Sequence, residues 1–139
     1  MNRKVLALFS FVFLLAQPAW ADERPRITLQ EAKQLVMAAL TPAQRRLPSA
    51  QAEFSASKEV FQSERFVGLT AIWSGEKNGS VVIGVYDVDP YTGDVFSATA
   101  ECLEYKNQRL SHLQKRIHTR LGLTSDEYKK IKTKGNMCG

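Results

Sequence analysis

The 139 residues carry 19 Lys/Arg against 14 Asp/Glu, a formal charge of +5, and only two cysteines. A chain of this length buries one small core and no more. Two cysteines are too few for a four-cysteine zinc site.

The first 21 residues read as a signal peptide. Arg3 and Lys4 precede an apolar run from Val5 to Ala16, and Ala19-Trp20-Ala21 places small residues at the cleavage site. The run falls short of the roughly 20 residues that span a bilayer, and no second one follows, so no membrane anchor is expected. The predicted product, 22–139, is one domain exported to the periplasm of a bacterium. Its charge is uneven: residues 22–102 hold 8 cations and 11 anions, residues 103–139 hold 9 and 3. Export and a lone cysteine pair predict a Cys102–Cys138 disulfide, worth roughly 4 kcal/mol by loop-closure entropy, with a catalytic thiol as the competing reading.

Thr28-Leu29-Gln30-Glu31 is a capping box. It opens a helix whose apolar face is Leu29, Ala32, Leu35, Val36, Ala39 and Leu40, and Thr41-Pro42 ends it. Residues 43–49 read as a connection, and 51–63 fit either helix or strand. Residues 65–74 are rich in β-branched and aromatic types, and the Asn-Gly cluster at 75–80 turns the chain into Val81–Ala98, whose middle is the turn Asp-Pro-Tyr-Thr-Gly-Asp at 89–94. In that turn Asp89 is placed to accept backbone N–H groups and Gly93 to take a positive φ. A three-stranded antiparallel meander follows, with 52–61 as a possible fourth strand.

After Cys102 the period becomes helical. Leu110, Leu113, Ile117 and Leu121 share a face, Gly122 caps the end, and a second capping box at Thr124–Glu127 opens a short helix to about Lys132. The fold class is therefore α+β: a leading helix on a sheet of three or four antiparallel strands, then two C-terminal helices. The predicted core is Leu35, Val36, Ile72, Val82, Val85, Phe96, Leu113 and Ile117.

Chemical motifs are sparse. Counted from Asp87, a calcium loop would need Asp or Asn, Gly and Glu where Tyr91, Thr92 and Ala98 stand. Ser55-Ala56-Ser57-Lys58 matches the S-x-x-K of penicillin-recognising enzymes, but the chain is too short for their cleft and has no S-D-N element. His112 and His118, six apart on a helix, cannot share a metal as an i, i+4 pair does. The expectation is a non-catalytic protein with no cofactor and no metal. The basic C-terminal third could meet nucleic acid, lipid or an acidic protein. Export and the scarcity of aromatic residues among the cations disfavour nucleic acid.

The segments Ile27–Lys33 (ITLQEAK) and Val85–Ala98 (VYDVDPYTGDVFSA) together resemble the PepSY family. Thr28, Glu31 and Ala32 match its helix start, and Asp89, Thr92, Gly93 and Val95 its D-x-x-T-G-x-v strand. The resemblance implies a small exported domain without catalysis, acting as a binding or inhibitory module on another exported protein such as an enzyme or toxin. The basic helical extension and the disulfide depart from the family pattern. Size, export and the polar surface also resemble, in type though not in motif, immunity proteins that neutralise toxins attacking the cell wall; an envelope stress or structural protein is the third reading. Two surfaces are candidate contacts: the hairpin tip with Asp89, Tyr91, Thr92 and Asp94, and the cationic helix face with Arg109, Lys115, Arg116 and Arg120.

Overall fold

The computed structural model describes residues 24–54, 65–74, 81–99 and 103–134. The predicted signal peptide, Cys102 and Cys138 lie outside them.

Helix α1 (Leu29–Ala39) begins at the predicted capping box: the Glu31 N–H donates to Thr28 Oγ1 at 3.1 Å, and the Thr28 N–H donates to the Glu31 carboxylate at 2.7 Å. Thr41-Pro42 does more than stop it. Thr41 caps a further short helix, α2 (Pro42–Arg45), in a box with Gln44, inside the stretch read as a connection. Pro42 fits there because the first helical position needs no N–H donor.

The undecided region resolves in part as strand β1 (Gln51–Phe54), the fourth strand. It pairs antiparallel with β2 (Val67–Ile72), which pairs with β3 (Val82–Val88), which pairs with β4 (Val95–Ser97), giving the sheet order β1-β2-β3-β4. The outer edge of β4 is covered by residues 103–105. The Ser97 N–H donates to the Leu103 carbonyl and the Tyr105 N–H to the Val95 carbonyl, each at 2.8 Å, so this short edge offers little to a stray strand. Helices α3 (Gln108–Leu121) and α4 (Ser125–Lys134) follow as predicted. Gly122 takes φ 65° at the end of α3, and the Glu127 N–H donates to Thr124 Oγ1 at the start of α4.

The architecture is α+β, and its core lies on one face of the sheet. Leu35 and Val36 of α1 are fully buried against Leu69, Tyr86, Val88 and Val95, and Leu110 and Ile117 of α3 close the same cluster. Burying one such aliphatic side chain stabilises by roughly 1.5–3 kcal/mol. Of the predicted core, Leu35, Val36, Phe96 and Ile117 are buried and Leu113 is half-buried. Ile72 and Val85 are only half-buried, however, and Val82 is 48% exposed. A register shift at Ala71/Ile72 pairs Ile72 with Val82 and skips Ile83, which packs instead against the core. Beyond the shift it is Tyr86 and Val88 that face α1, while Val85 and Asp87 alternate to the far side. Phe96 is there too, edge-on to Phe66 at 5.8 Å.

On that far side Asp87 is 2% exposed and its Oδ2 accepts no hydrogen bond from the described residues. Burial pushes its carboxyl up to about 6, from an ordinary value of 3.8. As pH rises from about 4 to about 6 the unfolded chain releases this proton before the folded one does, so the group progressively destabilises the fold and the loss is complete above about 6. Asp87→Asn is expected to be more stable than the parent by on the order of 2 kcal/mol at neutral pH, the advantage shrinking towards pH 4. Urea unfolding at both ends of that range checks this. An advantage independent of pH would mean that the charge is not the cause.

Candidate protein-binding site

The hairpin turn 89–94 is not a free tip. Its local bonds are the expected ones: Asp89 Oδ1 accepts the Tyr91 N–H at 2.8 Å and the Thr92 N–H at 3.3 Å, and Gly93 takes φ 71°. The helices then close over it. Asp89, Thr92 and Asp94 are at most 4% exposed, and Tyr91 is half-buried beneath the guanidinium groups of Arg24 and Arg26, 4.8 and 5.1 Å from its ring centre. The Ile27 N–H donates to the Pro90 carbonyl at 2.8 Å, tying the segment before α1 to the turn. From α3, Gln114 Nε2 donates to the Gly93 carbonyl at 3.1 Å. His118 Nε2 lies 2.6 Å from the Thr92 carbonyl, an acceptor only, so that nitrogen carries the hydrogen. Arg65 completes the hub with an ion pair to Asp89 at 2.6 Å.

Helix α4 docks through charge. The Tyr128 hydroxyl donates to Asp94 at 3.1 Å, and Lys132 reaches Glu104 at 2.6 Å and the Tyr128 oxygen at 3.2 Å. Burial raises the Asp94 pKa despite the pull of Lys132. Burial also works to lower that of Lys132, but the Glu104 bond and the Asp94 charge outweigh it and hold the ammonium above its ordinary value. The Tyr128 hydroxyl is likewise pushed up, by burial first and the Asp94 charge second. A lysine and a tyrosine that both keep their protons are unsuited to act as base or nucleophile at neutral pH. The cluster is chemically a clamp.

The predicted cationic face divides in three. At 100° per residue Arg116 and Arg120 each project within about 20° of Arg109, on either side of it, and Lys115 stands about 240° from Arg109. Arg120 is committed to Glu31, its Nε and Nη2 each donating at 2.7 Å in a fork that fastens α3 to the start of α1. Lys115 belongs to a separate shallow depression with Lys129 and Tyr128. Arg109 and Arg116 line an open groove of about 990 Å³ between α1, α3 and β1.

That groove is the candidate site. Lys33 and Gln34 form its α1 wall, Arg109, His112 and Arg116 its α3 wall, and Met37, Ala38 and Leu113 contribute apolar surface. Among the described residues no carboxylate lines it. Its chemistry is anion recognition: Arg side chains present a planar fork that matches a carboxylate, and the apolar part favours an aliphatic neighbour. Lys33 was not named as a site residue from the sequence, and His112 was weighed only as a metal ligand, yet a signal was present. Arg109, His112 and Arg116 are spaced 0, +3, +7, and Gln30, Lys33, Gln34 and Met37 are spaced 0, +3, +4, +7, one face of a helix in each case.

Among the described residues no group of three or more His, Cys, Asp or Glu side chains is placed to hold a metal, and no helix is long and apolar enough to cross a membrane. Neither family models nor the curated proteins provide a match to the chain. Among solved structures, the chain is similar to one in a type VI secretion system effector-immunity complex from Pseudomonas protegens, at 20% identity and a TM-score of 0.57, over 78% of this chain and 88% of that one. At that identity the likeness is one of fold.

Proposed function

We infer that this protein binds and neutralises another protein, as an immunity protein neutralises a toxin. The observation that carries the reading is the fold shared with a chain of an effector-immunity complex, over most of both chains. The resemblance of Thr28–Ala32 and Asp89–Val95 to PepSY domains supports the same class, since those domains are regarded as binding or inhibitory modules. The charged leader at Arg3 and Lys4 and the apolar run after it favour action in the periplasm.

A contact competition tests this. A source strain deleted for the gene is expected to be outcompeted by its unmodified sibling on solid medium, where cells touch, and to hold its own in stirred liquid. The full coding sequence supplied from a plasmid should restore survival, and a version lacking residues 2–21 should not. Equal survival of the deletion strain in contact with its sibling would overturn the reading, and rescue by the leaderless version would overturn the periplasmic placement.

A further inference from the structure

We propose that the groove between α1 and α3 receives an acidic segment of the partner protein, gripped by Arg109 and Arg116 on one wall and Lys33 on the other. The proposal rests on the protein-binding reading above and names the chemistry of its partner. Its basis is the way the molecule deploys its cations. Arg65 is paired with Asp89, Arg120 with Glu31 and Lys132 with Glu104. Among the described residues Lys33, Arg109 and Arg116 have no such carboxylate, and no described carboxylate lines the groove they share. Three like charges on the facing walls of an open groove sum to a local positive potential that an external anion relieves.

The shape argues for a segment rather than a small ion. The wall-forming residues run from 30 to 38 on α1 and from 108 to 116 on α3. Each span is about 12 Å of helix at 1.5 Å per residue. That length accommodates three or four residues of extended chain at about 3.3 Å each. Arg109 and Arg116, two turns apart on α3, can each take a carboxylate, while Met37, Ala38 and Leu113 meet aliphatic side chains between them. Anchors of this kind, arginine forks beside apolar contact area, dominate protein interfaces.

The test uses protein expressed from its full coding sequence, with a fluorescent octaglutamate peptide as probe and inorganic phosphate as comparison. The double variant Arg109→Glu with Arg116→Glu reverses the groove. Lys129→Glu with Lys130→Glu makes the same change of charge on α4, outside the groove. The groove variant is expected to bind the peptide about tenfold more weakly, and the α4 variant to lose less than about threefold. Equal losses would mean diffuse attraction to a basic protein and overturn the proposal, as would phosphate displacing the peptide at equal anion charge. If the reversal impairs folding, Arg109→Gln with Arg116→Gln takes its place and is read in the same way. In the contact competition the groove variant should fail to protect while the α4 variant protects. Protection by both would remove the groove and leave the immunity reading standing; failure of the parent itself to protect would remove that reading and leave the peptide result to decide the groove.

Discussion

Replacing Gly93 with valine is expected to cost about 3 kcal/mol, a large part of the 5–15 kcal/mol that holds a small domain together. Gly93 sits at φ 71°, and a Cβ built there would lie 3.1 Å from Leu35 Cδ1. The left-handed backbone alone costs a non-glycine residue roughly 1–2 kcal/mol, and forcing extra carbon against a fully buried leucine adds roughly 1–3. Gly122 provides the control. Its φ is 65°, but nothing lies within 4 Å of the corresponding Cβ, so Gly122→Val should show the backbone cost alone. Urea midpoints followed by far-ultraviolet circular dichroism measure both. A second comparison isolates the contact: combined with Leu35→Ala, the Gly93→Val cost should shrink, because the truncated side chain no longer opposes the new methyl groups. Equal costs at the two glycines, or strict additivity with Leu35→Ala, would show that the turn does not bear on α1.

Asp89→Ala is expected to be nearly as damaging, at about 3 kcal/mol. The carboxylate is 4% exposed and holds three donors: the Tyr91 and Thr92 N–H groups and Arg65 Nη2. Its removal strands two backbone donors and a partly buried guanidinium, and truncating one member of such a pair is penalised chiefly by the group left behind. Asp89→Asn separates the contributions. The amide oxygen still accepts from the backbone, so the turn persists while the ion pair is lost, and the cost should fall to about 1–2 kcal/mol. Hydrogen exchange at Tyr91 and Thr92 reads the difference directly: protection should vanish in the alanine variant and survive in the asparagine variant. Equal exchange in the two would mean that the carboxylate oxygen is not what orders the turn.

These two residues mark how far local sequence reaches. Asp89 bonds to residues two and three places along, and Gly93 is placed by the same turn, so the bonds depend on dihedrals and side-chain reach within six residues and can be read without a fold. The caps at Thr28 and Thr124 and the αL end at Gly122 are legible for the same reason, and so is the α+β order, because each helix and strand carries its own period. The second box at Thr41 was equally local and was obscured by reading Pro42 only as a stop.

What the sequence could not determine was what these elements press against. The turn looks like an exposed tip until Gln114, His118 and Tyr128, which follow it by 20–34 residues, are folded onto Gly93, Thr92 and Asp94. Arg120 looks like a free cation until Glu31, 89 positions earlier, is laid beside it. The face of β3 turned on a one-residue shift at Ala71/Ile72, and with a period of 2 such a shift exchanges inside for outside, which is why Val82 is exposed while Tyr86 and Val88 are buried. The groove exists only because α1 and α3, some 80 residues apart, lie side by side with Lys33, Arg109 and Arg116 turned to the same opening. Local bonds are set by neighbours along the chain, whereas burial, ion pairing and unpaired charge are properties of neighbours in space, and the close packing of one small core decides those.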